Sequence, residues 1–345
     1  MNALECYQQI KRRLATGKPV VSATVVRTKG STPREVGAKM LVTETGSWGT
    51  VGGGCGEADV LTVALDMLSE GASGTRLVHV DLTDQLTETA DRICGGVMHV
   101  QVETWNGTGN DLDTLTTPGP LGIVRMIPLV ESQEHTATIL RQDTATPADL
   151  KAPCRAVLEK RRCITENTPE GPIFFEFVGD RQTVLICGAG HIAQPLCQLA
   201  KMLDYRVIVI DDRPEFASTE RFSSADQVVA LPFDQALPSL DIGLDTIAVL
   251  VTRGHRHDEF CLRQLLHTET GYIGMLGSKR RVRAVIDNLI TEGFTREQLN
   301  RIWAPIGIDI GALTPAEIAV SIMAEIVASE RGRSGGHMKL PPRSP

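Results

Sequence analysis

The spacing of hydrophobic and polar positions predicts a mixed unit of helices and strands over the first part of the chain. Apolar residues three or four positions apart indicate a helix over 2–16 and a second one over 57–68. Composition predicts a loop over 29–37 and a turn over 44–48. β-branched or alternating runs predict strands, and these fall at 19–28, 38–43, 75–82 and 97–105.

The hydrophobic pattern is weakest over residues 106–180. The stretch 106–120 (NGTGNDLDTLTTPGP) is rich in Gly, Asp, Thr and Pro, which predicts a linker or a surface excursion. Three short strands are predicted after it, at 121–126, 136–140 and 173–178. We assign this whole stretch to the first domain.

From residue 182 onward, nearly continuous apolar strands alternate with helices, which is typical of a parallel sheet covered on both faces. The sequence therefore predicts an α/β fold: a C-terminal Rossmann-like parallel sheet domain over 181–330 and an N-terminal mixed α+β domain over 1–180. The tail, 331–345, is rich in Gly, Pro and Ser and is predicted to be disordered. Predicted strands are 182–187, 206–211, 226–230, 245–251 and 271–276. A helix is predicted after Gly188 and ends at Asp204, and further helices are predicted at 257–268, 278–291 and 314–330.

Composition and charge exclude several classes of function. The chain has 345 residues, with 35 Lys and Arg against 42 Asp and Glu, and only 4% aromatic residues. This mild acidity argues against a phosphate-backbone binder, and so few aromatic side chains argue against a base-stacking surface, so we expect no nucleic acid partner. No apolar run is long enough for a membrane span, and the N-terminus lacks an export signal. We expect a cytoplasmic protein whose eight cysteines are mostly buried, reduced thiols.

A dinucleotide-type loop lies between the first strand and helix of the second domain. Residues Gly188, Gly190 and Ala193 form a GxGxxA pattern, which allows a tight turn and a close approach of backbone to a phosphate. Asp211 ends the next strand, 21 residues beyond Gly190, where a ribose-binding acid is expected. His191 beside the phosphate position is a donor, acid or ligand, or else a capping or packing residue. The alternative is that the glycines only turn the chain and Asp211 caps a helix.

Two further loops follow strands of the same predicted sheet. His255 and His257 with Asp258 resemble a weak metal-ligand grouping, but we expect Asp258 to cap the following helix and His255 to contact a ligand. Gly277, Ser278 and Lys279 offer N–H groups and a cation for an anion such as phosphate. Arg281 is expected on a solvated, basic helix face.

Two cysteines of the first domain lie among glycines. Cys55 follows three glycines at the expected start of a helix, where the helix dipole lowers a thiol pKa, and Cys94 precedes Gly95 and a strand. Nucleophile, sulfur carrier, metal ligand and redox pair all stay open for these thiols. The loop KGSTPREVGAK (29–39), with Arg34, is suited to a small anion near Cys55.

These motifs together resemble the XdhC/CoxI family of maturation factors for molybdenum hydroxylases. The resemblance covers nearly the whole chain except 106–180. It rests on GSTPREVGAKMLV (30–42), GTVGGGCGE (49–57), CGG (94–96), GAGHIAQPL (188–196), VIDDRPEFASTERF (209–222), GHRHDE (254–259), GMLGSKRR (274–281) and PIGIDIGALTPAEIAVSIMAEI (305–326).

The resemblance implies binding of the molybdenum cofactor, as molybdopterin or its dinucleotide form, support for its sulfuration, and delivery to an apo molybdenum hydroxylase of the xanthine dehydrogenase or CO dehydrogenase type. A thiolate at Cys55 or Cys94 suits thiophilic molybdenum, and the loop beginning at Gly188 suits the pterin's phosphate. A cysteine desulfurase partner and a homodimer are further expectations. The resemblance implies a binding accessory chaperone more than a turnover enzyme; the alternative is an NAD(P)-dependent oxidoreductase.

Overall fold

The protein divides into two compact units, Met1–Asp180 and Arg181–Pro345. The computed structural model describes residues 1–71, 73–82, 95–107, 110–129, 137–141, 147–148 and 150–337, and it describes the backbone but not the side chains of Cys55, Asn110 and Asp111. Within these ranges, no helix combines the length and the apolarity needed to cross a membrane.

The described part of the first unit contains two antiparallel sheets with helices packed on them. A five-stranded sheet has the order β3-β2-β1-β5-β4, and a four-stranded sheet has the order β7-β6-β9-β8. The elements are α1 (Ala3–Leu14), β1 (Val20–Lys29), β2 (Lys39–Thr43), β3 (Gly46–Gly49), α2 (Gly54–Ser69), β4 (Thr75–Asp81), β5 (Val97–Trp105), α3 (Asn110–Thr116), β6 (Ile123–Pro128), β7 (Thr138–Leu140), α4 (Lys151–Lys160), β8 (Ile164–Thr168) and β9 (Gly171–Val178).

Helix α2 covers one face of the five-stranded sheet. Alternate strand residues point to the same face, so Val21, Ala23 and Val25 of β1 share a buried core with Val60 and Ala64, four residues apart on α2. This agreement between the strand period of two and the helix period of 3.6 fixes which side of the sheet α2 covers.

A network of buried charged groups lies between the two sheets and α1. Lys39 Nζ is 2.7 Å from Glu176 Oε1, and both side chains are at most 1% exposed. The Tyr7 hydroxyl donates to Glu176 over 2.5 Å, and Arg125 donates to the Tyr7 oxygen and to Glu103, each over 2.9 Å. Because the network joins α1, β2, β5, β6 and β9, it connects both sheets of this unit through paired charges.

The second unit is a six-stranded sheet, parallel throughout, in the order β12-β11-β10-β13-β14-β15. One described 3-10 turn, Leu237–Ser239, accompanies its helices. The elements are β10 (Thr183–Cys187), α5 (Ala193–Met202), β11 (Arg206–Asp211), β12 (Gln227–Ala230), α6 (Phe233–Ala236), β13 (Thr246–Leu250), α7 (His255–Leu266), β14 (Tyr272–Met275), α8 (Lys279–Thr291), α9 (Arg296–Leu299), β15 (Ile302–Trp303) and α10 (Pro315–Glu330).

Helices cover both faces of this sheet, as the apolar strands predict. Helices α5 and α10 pack on one face, where Leu196 and Ile322 are fully buried. Helices α6, α7 and α8 pack on the other, where Leu262 and Val285 are fully buried. This arrangement confirms the predicted fold class: a Rossmann-like parallel sheet following a mixed α+β unit.

Several local predictions were wrong, chiefly in polar segments. The predicted linker 106–120 contains α3, whose Leu112 and Leu115 are buried beside α1 and outweigh its loop-like composition. Helix α4 and strand β8 were not predicted, and the predicted turn 44–48 contains part of β3, which pairs with β2. Helix α2 begins at Gly54, three residues before the predicted start, because glycine composition hides its first turn. Of the predicted tail, 338–345 lies outside the described residues.

Candidate functional site

The sequence motifs of the second unit meet at the carboxyl edge of its sheet. Strand β10 lies between β11 and β13, and all three run parallel, so the loops that follow them emerge at one edge. The chain turns to one side of β10 for β11 and to the other side for β13. Open α/β sheets bind ligands at such a reversal of strand order.

The loop after β10 has the geometry that its glycines predict. Gly188 has φ of +110°, and a Cβ there would lie 2.7 Å from the carbonyl oxygen of Val251, so no other residue fits without a backbone shift. Ala193, at the start of α5, is fully buried and permits close helix–sheet packing. At Gly190 a Cβ would meet open space, so the backbone is accessible to a ligand there.

Three consecutive N–H groups of this loop, from Gly190, His191 and Ile192, make no hydrogen bond to any described residue. They precede the ten-residue helix α5, whose N-terminus carries a partial positive charge. No side chain caps this helix by a hydrogen bond, and His191 itself is exposed. The loop therefore presents donors and a positive potential to an anion.

The Asp211 carboxylate, by contrast, is already engaged. It is 2% exposed and accepts the N–H of Ala189 over 2.8 Å. Arg213 donates to it through its main-chain N–H, Nε and Nη2, over 3.1, 2.8 and 2.9 Å. Burial alone would raise the pKa of this carboxyl group, but the hydrogen bonds from Arg213 and Ala189 outweigh burial and lower it to about 2. Asp211, at the end of β11, thus links the glycine loop to Arg213 through hydrogen bonds.

The loop after β13 is tied to α8 through Asp258. This carboxylate is fully buried, accepts the Thr252 hydroxyl over 2.5 Å, and accepts Nη2 of Arg281. Burial, its strongest influence, raises the pKa of Asp258 despite these partners. The expected capping role of Asp258 was wrong, because Gly254 is the N-cap of α7. The expected solvated position of Arg281 was also wrong, because its guanidinium turns inward to Asp258.

The remaining predicted residues of this edge are accessible. His255 is the exposed first residue of α7, and Lys279 is the exposed first residue of α8. Ser278 caps α8 by accepting the main-chain N–H of Arg281 over 3.2 Å, and Gly277 precedes it. Among the residues that the structure describes, no three of His, Cys, Asp or Glu are grouped as a metal site would require.

In the first unit, three glycine-rich segments converge. A Cβ at Gly96 would meet the carbonyl oxygen of Ser31, and a Cβ at Gly30 would lie 3.0 Å from the carbonyl oxygen of Gly95. A Cβ at Gly52 would lie 2.7 Å from Pro33. The loop 30–34 therefore packs against both the loop 50–54 and residues 95–96, although the three segments are separate in sequence.

The predicted site residues Cys55, Cys94 and Arg34 belong to these loops or adjoin them in sequence. Cys55 is the second residue of α2, directly after the 50–54 loop, and its side chain is outside the described part. Cys94 itself lies outside the described residues; the residue after it, Gly95, belongs to the convergence. Arg34 is exposed, and its carbonyl accepts the Thr32 hydroxyl over 3.0 Å.

Glu57 organises the loop before Cys55. Its Oε2 accepts the N–H groups of Val51 and Gly53 over 3.1 and 3.0 Å, and the Thr50 hydroxyl. Burial would raise the pKa of Glu57, but these hydrogen bonds lower it. Sequence reasoning missed Glu57, although an acid in the first turn of a helix after a glycine run is a readable signal.

The fold and the loops define a class of protein. Its first unit has glycine-rich loops that pack together, and its second unit has a Rossmann-type parallel sheet with a glycine loop at the carboxyl edge. A model of the XdhC Rossmann domain matches residues 184–326, and a model of the XdhC and CoxI family matches residues 13–81. Together these ranges span more than half of the chain. The chain belongs to the XdhC and CoxI family, as its motifs predict.

Similar proteins include the uncharacterized protein YqeB of Escherichia coli, 26% identical over 94% of this chain; the chain spans 46% of that relative's length. A probable xanthine dehydrogenase subunit of Bacillus subtilis is 26% identical over 90% of this chain and 93% of that protein. The molybdenum cofactor insertion chaperone PaoD of Escherichia coli is 27% identical over 96% and 89%. A crystal structure of a xanthine dehydrogenase from Bacillus halodurans has a TM-score of 0.73 and 26% identity, covering 97% of each chain.

Proposed function

We propose that the chain is a cytoplasmic maturation factor that binds the molybdenum cofactor, supports its sulfuration and delivers it to an apo molybdenum hydroxylase of the xanthine dehydrogenase or CO dehydrogenase type. The observation that carries this proposal is the glycine loop after β10, with three consecutive N–H groups that no described residue uses. Such a loop fits the phosphate of a pterin cofactor, which is the cargo here. The name of the relative PaoD, a molybdenum cofactor insertion chaperone, supports the same cargo.

Each unit has its own part in the proposal. In the second unit, Gly188, Gly190 and His191 bind a phosphate group, with Gly277, Ser278 and Lys279 as a second anion-binding loop and His255 as a ligand contact. In the first unit, the thiols of Cys55 and Cys94 contact molybdenum or handle sulfur, and Arg34 attracts an anionic group. Because cargo must be released, we expect reversible binding without turnover of a substrate.

An NAD(P)-dependent oxidoreductase is less well supported. That function relies on an acid at the end of β11 that binds the ribose hydroxyls. In this chain that acid, Asp211, is occupied by Ala189 and Arg213. Titration with NADH, followed by nicotinamide fluorescence, should show an affinity no higher than that of inorganic pyrophosphate, and binding at least tenfold tighter than pyrophosphate would revive the oxidoreductase hypothesis.

The proposal is tested by purifying the full chain from a molybdenum-replete host and measuring molybdenum by mass spectrometry together with released pterin and nucleotide. We expect molybdenum and pterin in equal amounts, and activation of an apo hydroxylase by the loaded protein. The variant Cys55→Ala should lose most bound molybdenum, whereas Cys154→Ala, on α4, should keep it. Cofactor-free protein that cannot be loaded would contradict the proposal, and full retention in both Cys55→Ala and Cys94→Ala would remove the role of the thiols.

Sulfur transfer and assembly need separate measurements. Incubation with a cysteine desulfurase and cysteine, followed by intact-mass analysis, should add one sulfur atom to the wild-type chain and none to Cys55→Ala if a persulfide forms there. Light scattering after gel filtration tests the expected homodimer.

A further inference from the structure

The guanidinium of Arg221 lies against the glycine loop without an acidic partner. Its Nη2 donates to the carbonyl oxygen of Ala189 over 3.3 Å and to Oε1 of Gln194 over 3.4 Å. Its Nε is buried and has no hydrogen-bond partner in the described part of the chain. No described carboxylate forms an ion pair with it. Because Nε is closed to solvent, the part of this half-buried guanidinium that an anion can reach is its exposed Nη edge.

The guanidinium groups of Arg213 and Arg221 both lie near the Phe216 ring beside this loop. They differ in whether a carboxylate neutralises their charge. The guanidinium carbon of Arg213 lies 3.8 Å from the centroid of the Phe216 ring, and that of Arg221 lies 5.0 Å from it. Cation–π contacts of this kind fix the position of a guanidinium plane. Arg213 is neutralised by Asp211, 2.8 Å away, whereas the charge of Arg221 remains available to a ligand.

The Arg213–Asp211 ion pair determines that a ribose diol has no free carboxylate to bind beside this loop. A ribose diol binds to free carboxylate oxygens at the end of the second strand of a Rossmann sheet. Here both oxygens of Asp211 accept hydrogen bonds, and the side chain is 3% exposed. A sugar could reach Asp211 only by displacing Arg213.

We propose that Arg221, together with the N–H groups of Gly190, His191 and Ile192, binds a phosphate group. Because Arg213 occupies the Asp211 carboxylate, the sugar hydroxyls of the ligand form no hydrogen bond with it. The inference rests on the proposed function and specifies its ligand class: a phosphate ester or diphosphate recognised by its anion alone. The phosphate monoester of the pterin and the diphosphate of its nucleotide form both carry this chemistry.

Calorimetric titration of the full wild-type chain tests the ligand class. Inorganic phosphate and inorganic pyrophosphate are the first probes, and both should bind, pyrophosphate more tightly because it carries the larger charge. The nucleotide released from the purified protein then tells the monoester from the diphosphate ligand. Adenosine 5′-monophosphate and its 2′,3′-dideoxy analogue are the second pair. We expect these two to bind within about twofold of each other, because the diol has no partner. A loss of tenfold or more for the dideoxy compound, or no phosphate binding at millimolar concentration, would overturn the inference.

Variants test the residue. Arg221→Gln should weaken pyrophosphate binding roughly ten- to a hundredfold, which is the range for loss of a charge-assisted hydrogen bond. Arg283→Gln, an exposed arginine on α8, is the matched control and should bind as the wild type does. Arg221→Lys keeps the charge and should recover part of the affinity, so a folding defect of the glutamine variant does not decide the result. Wild-type affinity in Arg221→Gln would contradict the assignment. Molybdenum and pterin content is a separate readout, so failure here is distinguishable from failure of the proposed function.

Discussion

The charged side chains of the two units differ in whether they have partners of opposite charge. In the first unit, Lys39, Arg125 and Glu176 are buried between two sheets, Glu103 is partly buried beside them, and each faces an opposite charge. In the second unit, Asp211, Arg213 and Arg221 lie beside the glycine loop at the carboxyl edge of the sheet, and Arg221 has no ion pair with a described acid. Pairing with an opposite charge suits a structural role, because a buried charge that has lost its water is stabilised by its partner. An unpaired cation beside free N–H groups suits a ligand that comes and goes.

The largest expected effect comes from breaking the paired cluster of the first unit. Burial alone would lower the pKa of Lys39, but Glu176 raises it above its ordinary value, so Lys39 is charged in the folded protein. Glu176→Gln leaves that charge buried without its carboxylate and should lower the free energy of unfolding by about 3–5 kcal/mol. Urea-dependent hydrogen exchange of peptides from residues 1–71 measures this unit separately.

Two controls sharpen that measurement. Glu170→Gln, at an exposed position, should change the stability by less than about 0.5 kcal/mol. Lys39→Met combined with Glu176→Leu should be more stable than Glu176→Gln alone, because no buried charge is left unpaired. A cost below about 1 kcal/mol for Glu176→Gln would show that the cluster does not hold the sheets together.

An effect of intermediate size is expected at the Asp211–Arg213 ion pair of the second unit. The pKa of Asp211 falls from 3.8 to about 2 on folding, which corresponds to about 2 kcal/mol of stability at neutral pH. Since the folded pKa lies below the unfolded one, this stabilisation is present above about pH 4 and is lost as the pH falls to about 2. Asp211→Asn should therefore be less stable than wild type at pH 7 and should converge with it in acid.

Hydrogen exchange of peptides from β10, β11 and the loop between them, between pH 7 and the acid limit, measures this difference. Asp287→Asn, an exposed acid on α8, is the matched control and should follow the wild type at every pH. A constant gap between Asp211→Asn and the wild type across the whole range would refute the titration of Asp211 as its cause.

The smallest effect is expected at the glycine turn of the first unit. Glu57→Gln weakens the hydrogen bonds to Thr50, Val51 and Gly53 and should cost about 1 kcal/mol locally. It also removes a negative charge two residues from Cys55, so the thiol should ionise more easily and react with iodoacetamide about two- to fivefold faster at pH 7. Glu70→Gln, near the other end of α2, should leave the rate unchanged, and an unaltered rate in Glu57→Gln would separate this acid from the thiol.

The regular elements of the second unit were largely predictable, and those of the first unit were less so. Strands such as 206–211 are buried on both faces, so their apolar runs are unambiguous, and the helix predicted over 314–330 is observed, with Thr314 as its N-cap. In the first unit, α3 and α4 bury only a narrow face within a polar segment. Their helical form depends on contacts with elements distant in sequence, which local composition does not report.

The sequence by itself determined the fold class, the family and the position of the glycine loop, because strand periodicity and the GxGxxA pattern are carried by neighbouring residues. Only the tertiary structure decided which charges are available. Asp211 is engaged by Arg213 and Ala189, Asp258 by Arg281, and Arg221 by no acid of the described chain. The loops 30–34, 50–54 and 95–96 also meet only in three dimensions. Partner choice among charged groups depends on distance and burial, and a sequence carries neither until the chain has folded.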